Sequence, residues 1–240
     1  MRSHFHAQHF LRSPRIVAEL IGHSNIRKND VVYDLGAGSG VISSVLARRC
    51  KQVIAVEFEP NALKLLEKNM ANAENVMILK QDILRVEPTE INYKIFSNIP
   101  FSLSAEIVRK FIFRENPPKA MYLIAQKQFA RKLVPGGDHF TSELAAELGP
   151  LYAARIRKPL QKTDFTPPPA VDTVLLEIKR REEPLLPEAH VQRYREWVAT
   201  CFHDVAFFRK QPLHQAKISP ERTPSQLTLE QWLELWRYKK

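Results

Sequence analysis

The chain of 240 residues carries 36 Lys and Arg against 26 Asp and Glu, a formal charge of +10, and 44% of it is hydrophobic. That length holds one full core with room for a small second domain, and the charge suits a polyanionic partner, although a solvated surface rich in lysine explains it equally well. Two cysteines without paired spacing exclude a disulfide framework and a cysteine-built metal site. No run approaches the ~20 apolar residues of a membrane span, and the N-terminus has no apolar targeting stretch, so the chain reads as cytoplasmic and free of membrane.

A His-rich arm from Met1 to His9 comes first. A helical pattern then begins at Pro14, with Ile16, Val17, Leu20 and Ile21 on one face, and ends near Gly22. Strands alternate with helices from there: Val31–Leu35, Gln52–Glu57, Val76–Leu79, Tyr93–Ser97 and Ala120–Ile124 read as strands. The spacing predicts helices at Ser39–Arg49, at Pro60–Met70 with proline in the first turn, and at Ser102–Phe113. This alternation predicts an α/β fold with a doubly wound, Rossmann-like sheet.

After Pro135-Gly136-Gly137 the pattern changes. Leu151–Leu160 and Thr173–Ile178 read as antiparallel strands on either side of the prolines at 167–169. Tyr194, Trp197, Cys201, Val205 and Phe208 form one helical stripe, and Thr228 with Gln231 forms a capping box that opens a last helix. Residues 1–180 are therefore expected to form the catalytic domain and 181–240 a small helical domain.

Three of the seven glycines fall in Asp34-Leu35-Gly36-Ala37-Gly38-Ser39-Gly40. Clustering them at a strand end implies a turn with unusual dihedrals and close approach to a ligand, with Gly36 and Gly38 as candidate cofactor contacts. A bare strand-to-helix turn and a dinucleotide loop are the alternatives. Glu57 ends the second strand, where a carboxylate can accept both hydroxyls of a ribose. Asp82 ends the third, where it can take an adenine amino hydrogen while Ile83 packs on the ring. A turn aspartate is the plainer reading.

Asn98-Ile99-Pro100-Phe101 closes the fourth strand. The lone pair of an aryl amine is delocalised into its ring. Acceptors on the amine hydrogens favour a pyramidal nitrogen, and Asn98 Oδ1 and the Ile99 carbonyl suit that task. Pro100 fixes the turn without adding a donor, and Phe101 offers a face for stacking. Such a site works by positioning and electrostatics. With the glycine loop, the pattern points to methyl transfer from S-adenosylmethionine to an adenine amine. An ordinary Asn-x-Pro turn is the alternative. A paired adenine must be extruded, and Phe165 is the candidate second aromatic to hold it, a packed loop phenylalanine being the other reading. Arg155, Arg157, Lys158, Lys162, Arg209 and Lys210 are candidate phosphate contacts.

Four stretches together resemble the Erm/KsgA rRNA adenine dimethyltransferases: Gln8-His9-Phe10-Leu11, Asp34 to Gly40, Asn98 to Ser104, and Phe165-Thr166-Pro167-Pro168-Pro169-Ala170-Val171-Asp172. The resemblance implies cofactor contacts at His9, Leu11, Gly36, Glu57, Asp82 and Asn98, with Asn98 and Phe101 holding the target adenine. His9 stands where the family usually has asparagine, and Phe101 where tyrosine is commoner. The Asn-Ile-Pro form and the short tail look more like the Erm branch. That branch implies a monomer that methylates an adenine of protein-free or precursor 23S rRNA, with resistance to macrolides, lincosamides and streptogramin B. Methylation of small-subunit rRNA, a non-catalytic nucleic-acid-binding scaffold and a nicotinamide oxidoreductase are the rival readings.

Overall fold

The computed structural model describes residues 9–135 and 141–239, so most of the His-rich arm, Gln8 included, lies outside the described residues. Strand β1 (Phe10–Leu11) leads into helix α1 (Pro14–Gly22), where the Ser13 hydroxyl accepts from the Arg15 amide and Val17, Leu20 and Ile21 face inward. Strand β2 (Val31–Leu35) runs into the glycine loop. Helix α2 (Val41–Leu46) is shorter than the pattern predicts because Gly40, at φ +89°, is its left-handed N-cap. Then come β3 (Gln52–Glu57), α3 (Pro60–Met70) capped by Glu59, and β4 (Val76–Lys80).

The chain continues through β5 (Lys94–Asn98), α4 (Ser104–Ile112), β6 (Ala120–Gln126) and α5 (Lys127–Leu133). Next follow α6 (Glu143–Leu148), β7 (Tyr152–Leu160), β8 (Phe165–Thr166) and β9 (Thr173–Arg180). Helices α7 (Glu188–His203), α8 (Val205–Arg209) and α9 (Leu229–Tyr238) complete the chain.

Seven strands form one sheet in the order β4-β3-β2-β5-β6-β9-β7. The pairs β3–β4, β2–β3, β2–β5 and β5–β6 are parallel. The chain thus winds outward from β2 on one side and returns to start β5 on the other. In such sheets ligands bind at the carboxyl ends of the two strands where the winding reverses. Those ends are the glycine loop and Asn98. Val17, Leu20, Val32, Leu46, Val53, Phe96, Tyr122 and Ile124 belong to the core cluster of this part.

Two compact units divide the chain, one running to Phe129 and including Ile156–Ile178, the other Ala130–Arg155 with Lys179–Lys240. The last division thus lies within two residues of 180, while residues 130–155 fall in the second unit and not in the first. Residues 130–155 join the helical unit because α6 packs on α7, where the Tyr194 hydroxyl donates to the Ala146 carbonyl at 3.2 Å. Trp197, Cys201, Phe208, Trp232 and Leu235 belong to that core. Val205 leaves the expected stripe and is exposed. Asp204 ends α7 and caps α8, accepting from the Phe207 amide, so the face rotates at that point. The Thr228–Gln231 capping box is present, each side chain accepting the other's amide.

The foot of the β2/β5 pair is held by a nearly buried ion pair, Lys94 Nζ to Asp30 Oδ2 at 2.7 Å, with Nζ also donating to the Asn25 carbonyl. Asp30→Asn leaves that ammonium buried without its counter-charge. It is expected to lower unfolding stability by about 2–4 kcal/mol, read by urea denaturation.

Candidate active site

Gly36, Gly38 and Gly40 all have positive φ, at +72°, +58° and +89°. The amides of Gly36 and Ala37 both donate to the Val56 carbonyl, tying the loop to the end of β3. A Cβ on Gly36 would stand 3.3 Å from Ile83 Cδ1, and one on Gly38 would stand 3.1 Å from Phe10 Cε1. Both glycines thus keep a narrow cradle open between two apolar side chains.

Glu57 orders this cradle. Its Oε2 accepts the Gly38 amide at 2.8 Å, and its Oε1 accepts the amides of Phe58 and Glu59 at 2.7 and 2.8 Å. A carboxylate has about four acceptor positions, so three are filled from the backbone. Glu57 therefore stands at the expected place at the end of β3, already accepting from three amides, with acceptor capacity left for a ligand hydroxyl. Asp82 caps the short 3-10 turn Ile83–Arg85, its Oδ1 accepting the Leu84 amide at 2.8 Å, which leaves Oδ2 for a ligand.

Asp34 is fully buried beneath the loop. Oδ2 accepts from Ser43 Oγ at 2.7 Å, whereas Oδ1 has no partner among the described residues. Burial pushes its pKa up to about 7, the Ser43 hydrogen bond opposes that, and the Glu57 charge adds to it.

The catalytic turn sits beside the loop. Asn98 Nδ2 donates to the His9 carbonyl at 2.6 Å, which turns Oδ1 away as the remaining acceptor. The Ile99 side chain is buried, and no backbone donor takes its carbonyl among the described residues. Pro100 accepts the Leu103 amide and Phe101 accepts the Ser104 hydroxyl, which fixes the turn. The His9 ring stacks on Phe101 with centroids 5.9 Å apart, and its Nδ1 is 2.8 Å from the Pro167 carbonyl. Strand β1 pairs antiparallel with β8, Leu11 opposite Phe165, so the N-terminal strap and the proline loop meet over the turn.

One expected role does not survive this geometry. Phe165 is 1% exposed and belongs to the core with Leu11, Val17 and Tyr122, so it is not available to hold an extruded base. The Leu11 side chain lies in the same core and offers a ligand only its backbone. Several candidate phosphate contacts are already engaged: Arg157 by the His23 carbonyl, Lys158 by Glu19, Lys162 by the Ala170 carbonyl and Arg209 by the Pro220 carbonyl. Two aromatics escaped the sequence reading as site residues in their own right. Phe10 covers Gly38 and Phe58, 69% exposed, follows Glu57 directly. The signal for Phe58 was a large apolar residue where the buried strand has already ended.

The profile described as ribosomal RNA adenine dimethylase matches residues 2–217. The chain belongs to that family. An rRNA adenine N-6-methyltransferase of Limosilactobacillus reuteri is 28% identical over 96% of this chain and 93% of its own length. A mitochondrial ribosomal RNA small subunit methyltransferase of Arabidopsis thaliana is also 28% identical, over 81% of this chain, and this chain spans about half (52%) of that protein. Among solved structures, the 23S rRNA methyltransferase ErmE superposes with a TM-score of 0.82 at 28% identity, covering 95% of this chain and 98% of that one.

Dimethylases of this family are S-adenosylmethionine-dependent methyltransferases with a Rossmann-like fold, and so is this chain. The residues present fit that cofactor. The cradle at Gly36 and Gly38 would be narrowed by any side chain, and among the described residues one oxygen of the buried Asp34 beneath the same loop has no partner. Among the described residues no helix is long and apolar enough to cross a membrane, and no group of three metal-ligating side chains occurs.

Asp34 gives the cofactor-free protein a signature in pH. Its ordinary value is 3.8 and its folded value about 7, so folding takes up a proton between them. That contribution is complete below pH ~4 and lost as pH rises to ~7, at up to about 1.4 kcal/mol per pH unit. Asp34→Asn is expected to flatten this fall, measured as urea unfolding at pH 5, 6 and 7.5 against the wild type.

Proposed function

We propose that this chain transfers methyl groups from S-adenosylmethionine to the exocyclic amine of one adenine in large-subunit rRNA. The observation that carries the reading is the Asn98 amide, whose nitrogen is held by the His9 carbonyl so that Oδ1 and the neighbouring Ile99 carbonyl are the acceptors left at the end of β5. When bound, S-adenosylmethionine supplies an electrophilic methyl group on a sulfonium.

The chain supplies placement. Asn98 Oδ1 and the Ile99 carbonyl accept the two amine hydrogens and hold the nitrogen lone pair out of conjugation. Phe101 stacks on the base, and Pro100 keeps the turn free of a competing donor. Gly36, Gly38, Glu57, Asp82, Ile83 and Phe58 hold the cofactor, and the His9 strap closes over the turn. No strong base is required, since the proton leaves to water after transfer. The helical unit carries RNA contacts outside this site.

Likeness to ErmE along nearly the whole length of both chains supports the large-subunit target and the implied macrolide, lincosamide and streptogramin B resistance. The substrate is protein-free rRNA, met by a monomer in the cytoplasm, a compartment that two unpaired buried cysteines suit. The equal identity to the Arabidopsis protein favours a second reading, methylation of small-subunit rRNA.

Labelled methyl transfer to protein-free large-subunit rRNA and to small-subunit particles separates the readings. Label in one adenine of the large-subunit RNA is expected, with kcat reduced roughly 10²- to 10³-fold in Asn98→Ala. Label confined to small-subunit particles would establish the second reading. Cofactor binding with no label on any RNA would leave a non-catalytic scaffold.

A further inference from the structure

The helical unit contains a cavity that methyl transfer does not use. Its volume is about 510 Å³, within the range that takes nucleotide-sized ligands. Four cations line it, Arg131, Lys132, Arg181 and Arg222, against one carboxylate, Glu230. Among the described residues none of the four has a carboxylate ion-pair partner.

Two of the cations are held in place by neutral groups. Arg181 Nε donates to the Gly149 carbonyl at 2.8 Å and its own amide to the Leu151 carbonyl, which leaves both terminal nitrogens for an anion. Burial draws its pKa below the usual guanidinium value and the Glu230 charge opposes this, so a second anion would gain from a partly desolvated cation. Arg222 Nη1 donates to the Gln226 carbonyl at 3.1 Å and to Gln231 Oε1 at 3.3 Å. Leu148 and Leu229 give the cavity an apolar wall. Forked cations beside an apolar wall match a phosphate that carries a flat, uncharged group.

We propose that this cavity takes one unpaired nucleotide of the RNA substrate, its phosphate on Arg131, Lys132, Arg181 and Arg222 and its base or ribose against the leucine wall. The inference rests on the RNA-methylating reading. It adds a recognition point at a nucleotide other than the target adenine. A phosphate held there fixes register, and the apolar wall admits a base only where the RNA is single-stranded.

The test uses the full chain with Arg181→Gln, Arg222→Gln and Ala145→Phe, the last filling the cavity from α6 without changing charge. Thermal unfolding and cofactor binding serve as folding controls, and kcat and KM for RNA are measured at several salt concentrations. Each arginine variant is expected to raise KM roughly tenfold at unchanged kcat. Each should also lower the salt slope by about 0.7. Ala145→Phe should raise KM comparably. An unchanged KM in Ala145→Phe with raised KM in the arginine variants would show a surface field and overturn the cavity. Three unchanged variants would overturn it also, while wild-type turnover would keep the methylation reading intact. Calorimetric titration with a short single-stranded RNA, wild type against Ala145→Phe, tests the cavity even if the wild type methylates nothing. Binding of uridine 5′-monophosphate alone, with RNA kinetics unmoved, would assign the site to a free nucleotide and overturn the RNA assignment.

Discussion

The parallel pairing of β2 with β5 places the two central parts of the candidate active site, the glycine loop and the Asn98 turn. These strands flank the point where the winding of the sheet reverses, so both leave the sheet at the same edge with no helix between their ends. One delivers the glycine loop and the other delivers Asn98. The register between them, Val32 opposite Lys94 and Tyr33 opposite Ile95, sets how far apart loop and turn stand. Polar contacts fix that register at both ends: the Lys94–Asp30 pair below, and the Ser97 hydroxyl donating to the Leu35 carbonyl above. A slip of one residue would turn Asn98 to the other face. Costly buried polar groups in this position are thus tied to placement more than to net stability.

Glu57 shows how the same economy of groups shapes the loop. A carboxylate that accepts three backbone amides is a structural element first, because it ties the left-handed turn at Gly38 to the chain leaving β3 at Phe58 and Glu59. It holds negative charge close to Asp34, whose burial already favours the neutral acid. The fold therefore keeps two acids near one another, with one Asp34 oxygen unpartnered among the described residues.

Much of this was legible in the sequence, for a physical reason. Buried parallel strands read as continuous apolar runs, so Val31–Leu35 and Gln52–Glu57 were found with their observed bounds. The glycine loop and the Asn98 turn were legible because few residue types tolerate those conformations. What stayed hidden depended on distant partners. Phe165 looks like a loop aromatic in its proline-rich context, yet its pairing with Leu11 across more than half the chain draws it into the core. Residues 130–155 carry no local mark of the unit they join, since that follows from Ala146 meeting Tyr194. The Glu57 amides were invisible for the same reason: strand-end position shows that a carboxylate is there, and only the folded loop shows how many donors reach it.

His9 illustrates how a departure from a family pattern can keep its chemistry. A carbonyl oxygen only accepts, so the contact to Pro167 requires the proton on Nδ1. Asparagine at this position has an amide nitrogen that can donate in the same way. The backbone carbonyl of His9, which receives Asn98 Nδ2, does not depend on the side chain at all. The imidazole adds something an amide lacks, a ring broad enough to stack on Phe101. With phenylalanine in place of tyrosine the turn has no hydroxyl to anchor it, and the stacked histidine restrains that ring from the side of the strap. The residues at 9 and 101 therefore act as one packing solution, in which a single histidine joins the turn by an aromatic contact and the proline loop by a hydrogen bond.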